Sequence, residues 1–334
     1  MSATISREIR LASRPREWPT SDNFHLERVE LPPPGDGQVL VRNLFMSVDP
    51  YMRGRMNDVK SYVPPFQVGQ VLDGGAVGEV TASRASGVAV GDIVLSSFGW
   101  REHFVAAASD VRPVDKRVAP LSSYLGVLGI TGLTAWVGLN LVDVSAGDRV
   151  FISAAAGATG SVAGQLAKLR GCRVIGSAGS AEKVKVLKGE LGFDAAFNYK
   201  DGDLVKQIKA AAPDGIDVYF DNVGGEHLEA ALSAMRVRGR IIACGAISKY
   251  NDESPTPGPR NMAFFTTKRL TMRGFIVTDS LDQMPAFVKD VSGHLATGKL
   301  VTKETVVQGL ERAPQAFIDL LHGENVGKMV VKLT

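Results

Sequence analysis

The chain has 334 residues, 45% hydrophobic and 22% charged, enough apolar material for a sizeable core and two domains, and a balance that argues against disorder. Thirty-eight Lys and Arg against 35 Asp and Glu leave a formal charge of +3 with the basic residues scattered, so no nucleic acid and no anionic membrane is called for. The two cysteines, Cys172 and Cys244, each read as lying inside a strand as buried reduced thiols, which predicts a reducing, cytoplasmic setting.

Arg7, Arg10, Arg14 and Arg16 are followed by no apolar stretch, so no secretory signal is expected, and Glu8 and Glu17 count against a transit peptide. Up to about residue 120 the pattern alternates, as at 38–47 and 91–98, with turn clusters at 32–37 and 74–75; this predicts a mostly β first domain. The stretch 118–142 carries no charge, yet Pro120, Gly126, Gly129, Gly132 and Asn140 interrupt it, so it reads as two buried helices and not as a membrane span.

From about residue 131 onward, strands predicted at 149–155, 173–178, 195–199, 216–222, 240–245 and 272–277 alternate with helices. That is the signature of an α/β fold with a doubly wound parallel sheet. The first of these strands runs through a turn at Gly157 into a helix over 160–170, stopped by Gly171. Ala155, Gly157 and Gly160 make an A-x-G-x-x-G variant of the dinucleotide fingerprint, which gathers free backbone N–H groups and a helix N-terminus around one point suited to a pyrophosphate. The next strand ends without the acid that would accept from a ribose hydroxyl. It offers Gly176-Ser-Ala-Gly-Ser-Ala-Glu-Lys183, with Ser180 as helix N-cap and Lys183 either a 2′-phosphate ligand or a solvated lysine. A cationic contact of roughly 1.5–3 kcal/mol would select NADP over NAD. The final alternating segment, 327–333, is expected to return to the first domain. The division is therefore 1–122, completed by 300–334, and 123–299.

Asp49-Pro-Tyr-Met-Arg53, the 154–165 loop, Phe197-Asn-Tyr-Lys200, Tyr219-Phe-Asp-Asn-Val-Gly-Gly225, Cys244-Gly-Ala-Ile-Ser-Lys-Tyr250 and Asn325-Val-Gly-Lys328 occur in that order. With them the chain resembles, over nearly its full length, the zinc-independent medium-chain dehydrogenases, in the branch of leukotriene B4 12-hydroxydehydrogenase/prostaglandin reductase and bacterial curcumin reductase. The resemblance implies a GroES-like β domain plus a Rossmann domain, NADP(H), a homodimer, and reduction of the carbon–carbon double bond of small hydrophobic enones and enals. It implies cofactor contacts at Gly157, Ala158, Thr159, Gly160, Lys183, Tyr199, Asn222, Cys244, Gly245, Ala246, Ile247, Ser248, Tyr250, Phe275, Ile276, Val277 and Asn325. Taken as bare sequence, Tyr199 reads equally as edge packing, Asn222 as an Asx-turn and 275–277 as a core strand.

Two distant cysteines cannot supply the ligand sets of zinc-dependent relatives, so no metal is expected, and His25, His103, His227, His294 and His322 read as exposed or satisfied structural residues. Hydride addition to an enone needs only a hydrogen-bond donor for the enolate and a proton source. Tyr250 is the first candidate, followed by Tyr62, with Tyr51, Tyr62 and Tyr250 as substrate-binding residues. Some relatives carry a further tyrosine where this chain has Thr267, and the nicotinamide ribose hydroxyl is another possible donor. Quinone reduction and a nucleotide-binding protein without turnover are the alternatives. The loop 251–259, rich in proline and charge, is a candidate lid.

Overall fold

In the computed structural model, which describes residues 3–252 and 257–333, the chain divides into two units, Met1–Leu125 with Glu304–Thr334 and Gly126–Lys303. The first unit begins with an antiparallel pair, β1 (Thr4–Leu11) and β2 (Phe24–Leu31). The alternating segment forms β3 (Gln38–Ser47), which leads through the short helix α1 (Tyr51–Arg55) to β4 (Ala76–Ser83), β5 (Ile93–Ser96), β6 (His103–Ala107) and β7 (Arg112–Pro113). β3 pairs with β4 on one edge and β6 on the other, and β4 continues the antiparallel sheet to β5 and β7. Val39 and Val41 turn inward onto Val80, Val94 and Phe104.

The second unit opens on α2 (Ile130–Leu141), whose apolar residues run nearly all round, as a buried helix requires. Then β8 (Arg149–Ile152), α3 (Ala158–Leu169), β9 (Arg173–Ala178), α4 (Ala181–Gly189), β10 (Ala195–Asn198), α5 (Leu204–Ala211), β11 (Ile216–Asp221), α6 (Gly225–Ala234) and β12 (Met235–Ala243) alternate. They are followed by α7 (Ala263–Thr267), β13 (Thr271–Gly274) and α8 (Met284–Ala296). The sheet order is β10-β9-β8-β11-β12-β13 with every pair parallel, the doubly wound arrangement. Burial on both faces explains its unbroken apolar runs, as at Phe151, Tyr219 and Ile241, all fully buried. The chain then returns to the first unit: β14 (Glu304–Gln308), α9 (Ala313–Leu321) and β15 (Lys328–Lys332), with β15 antiparallel to β3 as the final alternation predicts. Phe317 of α9 joins Ile9, Leu11, Met46 and Trp100 in the main core of this unit.

Several boundaries differ from the sequence expectation. The stretch 118–142 yields a 3₁₀ turn, Leu121–Leu125, and α2, and no helix among the described residues is long and apolar enough to cross a membrane. β8 stops at Ile152 and α3 starts at Ala158, because the turn opens before Ala155. Both cysteines sit just outside strands, Cys172 before β9 and Cys244 after β12. β13 ends at Gly274, so Phe275 and Ile276 lie beyond the strand. Part of the loop 251–259, residues 253–256, lies outside the described residues.

Phe193, 4% exposed, occupies space left by two missing side chains. A Cβ on Gly164 of α3 would overlap its ring, and one on Gly176 of β9 would come 2.9 Å from the ring and 2.8 Å from Ala155 Cβ. Gly164→Ala is therefore expected to cost about 1–3 kcal/mol in denaturant unfolding, partly restored by a second change, Phe193→Leu. His227, in the first turn of α6, is 6% exposed, and burial pushes its imidazole down to about 4. Because the unfolded ring takes a proton near pH 6.5 and the folded one does not, its share of stability is full above about pH 6.5 and is lost as pH falls toward 4. The His227→Leu variant should show a smaller loss of unfolding free energy across that window.

Candidate functional site

The strand order reverses between β8 and β11, and at this point the carboxyl ends of β8, β11 and β12 are tied by one polar knot. Asp221 Oδ1 accepts from the backbone N–H groups of Val223 (3.0 Å) and Gly224 (2.8 Å) and lies 2.7 Å from the Tyr219 hydroxyl, which is itself 3.0 Å from Ser153 Oγ. Burial raises the Asp221 carboxyl and pushes the fully buried Tyr219 phenol well above its ordinary value. Asn222 donates its side-chain amide to Ser153 O (2.8 Å) and its backbone N–H to Ser153 Oγ (3.0 Å). The loop after β12 hangs from the same strand: Cys244 and Gly245 N–H donate to Asp221 O, Ile247 N–H to Asn222 O, and the Ser248 hydroxyl to Val223 O at 2.6 Å.

Asn222 and 244–250 are thus brought together at one sheet edge, and Phe275 follows beside them because Ala243 and Gly274 are register partners. The Tyr250 hydroxyl is turned toward its own loop, 3.5 Å from Ala246 N. Burial also lifts the Cys244 thiol to about 12, keeping it protonated.

Beside the knot, Gly157 forms the N-cap of α3 and no side chain caps this helix end, so first-turn N–H groups face outward under a favourable dipole. A Cβ on Gly160 would come 2.5 Å from Ala154 O, so a glycine is required for the turn to pass this close to the helix. Ala155, standing where the usual fingerprint has its first glycine, ties the turn to β9 by donating to Ser177 O at 2.9 Å. This cradle of uncapped N–H groups fits the pyrophosphate of a dinucleotide.

The end of β9 presents no carboxylate. Ser180 caps α4 by accepting from Lys183 N–H (3.3 Å), and the nearest acid, Glu182, is engaged by its own backbone N–H and the Ser180 hydroxyl, which hold it below the usual carboxylate range. Tyr199, in a single 3₁₀ turn after β10, leans over Gly179, where an added Cβ would lie 3.3 Å from its ring and 3.6 Å from Lys200 Cε. Lys183 and Tyr199 therefore flank the same strand end. Sequence reasoning overlooks Lys200, whose ammonium lies 5.9 Å from the Tyr199 ring centroid; the Asn-Tyr-Lys turn is its only signal. It also misjudges His227, which is neither exposed nor satisfied: Nε2 is buried without a partner among the described residues, and its ring packs on Tyr199. His103, half-buried with Nδ1 unpartnered among the described residues, departs from expectation in the same way. Thr267 donates to Ala263 O within its own helix.

Tyr51, Tyr62 and Asn325 belong to the first unit. Tyr51 starts α1, and burial, with the Asp49 carboxylate, pushes its phenol up, so that its hydroxyl keeps its proton. Tyr62 is 59% exposed. Asn325 donates its amide to Gly327 O at 2.7 Å. Three residues on, the buried Lys328 ammonium contacts Val48 O (2.8 Å), Asp49 Oδ1 (2.9 Å) and Met329 O (3.0 Å), and the other Asp49 oxygen accepts from Ser47. Two of the motifs from opposite ends of the sequence are joined there.

Comparison with known proteins agrees with this geometry. Residues 7–114 match the family described as N-terminal domain of oxidoreductase and residues 158–292 that described as zinc-binding dehydrogenase. Among the described residues no group of three or more His, Cys, Asp or Glu could hold a metal ion. The NADPH-dependent curcumin reductase of Escherichia coli (strain K12) is 39% identical over 97% of this chain and 95% of its own, and the NADP(+)-dependent 2-alkenal reductase of Nicotiana tabacum 42% identical over 95% of this chain and 94% of its own. The crystal structure of CurA in complex with NADPH from Vibrio vulnificus superposes with a TM-score of 0.93 at 42% identity, covering 98% of this chain and 99% of the other. The chain belongs to the zinc-independent medium-chain dehydrogenase/reductase family.

Proposed function

We propose that this protein is an NADPH-dependent reductase of the carbon–carbon double bond of α,β-unsaturated ketones and aldehydes, acting on small hydrophobic enones and enals. The observation that carries the reading is the near end-to-end match to curcumin and 2-alkenal reductases in a chain whose β9 end bears no acid and lies beside lysines. When bound, NADPH supplies the hydride that adds to the β-carbon. The N–H groups of Gly157, Ala158, Thr159 and Gly160 hold the pyrophosphate, and Lys183, Tyr199 and Lys200 hold the 2′-phosphate. Asn222, residues 244–248, Tyr250, Phe275–Val277 and Asn325 serve the rest of the cofactor. Tyr250 donates to the oxygen on which negative charge develops, with Tyr62 next in order, and Tyr51 and Tyr62 contact the substrate.

We further propose a cytoplasmic homodimer. The free cysteines support the first part. The second rests on β13, a sheet-edge strand exposed at all four residues, Met272 among them, and paired among the described residues with β12 alone.

Reduced-nicotinamide consumption against a panel of enones, enals and quinones tests the reading. Enone preference supports it, quinone preference replaces it, and tight NADPH binding without turnover removes the enzyme. Lys183→Ala and Lys200→Ala should each raise the NADPH dissociation constant by roughly ten- to a hundredfold and leave NADH nearly unchanged; equal loss for both cofactors would move the phosphate site elsewhere. Tyr250→Phe should lower kcat by roughly ten- to a thousandfold at constant NADPH affinity, since the lost bond belongs mainly to the transition state. Should Tyr250→Phe be silent while Tyr62→Phe abolishes turnover, the donor comes from the first unit.

A further inference from the structure

His227 has no part in the chemistry proposed above, and stability alone does not explain it. A buried nitrogen without a partner weakens a fold, so filling the volume by itself would favour leucine at this position, and what the imidazole adds is an aromatic ring. What the ring does touch is Tyr199, edge-to-face, with centroids 4.9 Å apart and planes at 75°. The Tyr199 hydroxyl has no hydrogen-bond partner among the described residues, and its backbone belongs to a three-residue turn, so ring packing fixes its direction. On its far side the ring meets the space above Gly179, with Lys200 alongside. His227 itself is anchored by the start of α6, where Gly224 donates to Asp221 and the left-handed backbone of Gly224 and Gly225 sets the entry of the helix. A line of contacts therefore runs from the Asp221 knot through α6 and His227 to Tyr199 and the end of β9.

We propose that His227 is a positioning residue for cofactor specificity: its imidazole, packed edge-to-face with Tyr199, holds that ring over Gly179, so that the phenol hydroxyl and the Lys200 ammonium face the 2′-phosphate of NADPH. The inference rests on the NADPH reading above. Burial keeps the ring uncharged at neutral pH, so it acts by packing and adds no charge of its own. An aromatic pair of this kind corresponds to roughly a two- to tenfold change in affinity.

The test measures NADPH and NADH dissociation constants of the intact protein by calorimetry for wild type, His227→Leu, His227→Phe, Tyr199→Ala and the double variant His227→Leu/Tyr199→Ala, with thermal melting to confirm folding. His227→Leu, which fills the volume without an aromatic edge, should weaken NADPH roughly two- to tenfold with NADH unchanged; His227→Phe should restore wild-type affinity. In the Tyr199→Ala background, His227→Leu should have no further effect. Equal weakening of both cofactors, no weakening at all, failure of phenylalanine to restore binding, or additive losses in the double variant would each overturn the inference. A wild-type protein with no preference for NADPH would overturn the cofactor reading and this inference with it, whereas an intact preference that His227→Leu leaves untouched overturns this inference alone.

Discussion

The carboxyl edge of the parallel sheet depends on how the buried Asp221 carboxylate finds its donors. Desolvation opposes its charge, and two backbone N–H groups with the Tyr219 hydroxyl offset that cost only because Gly224 and Gly225 both adopt positive φ, at 69° and 51°. The same bend that delivers the Gly224 N–H starts α6, and Ser153, at the end of β8, completes the knot from the neighbouring strand. The carboxylate, by accepting from Val223 and Gly224 N–H, sets the first turn of α6, while Asn222 bonds Ser153 and the 244–248 loop hangs from the backbone carbonyls of Asp221, Asn222 and Val223. A neutral isostere here would lack the acceptor capacity that draws those N–H groups together.

Period and punctuation made the architecture readable. Unbroken apolar strands separated by helical segments fix a parallel sheet, and Gly157 with Gly160 places the tight turn before α3, because both signals are local. Contacts across long sequence distances were not readable. Phe193 explains Gly164 and Gly176 but lies 29 and 17 residues away from them, and nothing in the sequence says which small residues face a ring. Lys200 follows a tyrosine already singled out, yet only the turn geometry shows that its aliphatic end leans toward Gly179. His227 was misjudged for a similar reason: a histidine in an amphipathic helix is exposed or buried according to the helix's rotation, which the first turn after two glycines leaves open.

Cofactor choice here combines a missing group with several present ones. A carboxylate at the end of β9 would bind ribose hydroxyls and repel a phosphate carrying close to two negative charges. This chain has Ser177, Ala178 and Gly179 there, and the exposed Glu182 is engaged by its own backbone N–H and the Ser180 hydroxyl, so no carboxylate stands at the strand end itself. In the proposed binding mode even partly solvated lysines would discriminate, because they would act on a charge that only one of the two cofactors carries.

In the first unit, the corresponding constraint is the Lys328–Asp49 pair. Lys328 is 3% exposed, and its ammonium has three acceptors, so every N–H can be satisfied once water is excluded. Burying an ion pair is weakly stabilising at best, whereas removing one partner would strand a charge at a cost of about 3–5 kcal/mol. The pair thus contributes less to net stability than to location. It pins β15, which pairs with β3, to the segment that leads into α1, and so fixes Asn325 and Tyr51 relative to each other although 274 positions separate them in the sequence. A hydrophobic pair could fill the same volume but would permit slippage along β15, which the two directional hydrogen bonds donated by one nitrogen to Val48 O and Asp49 Oδ1 do not.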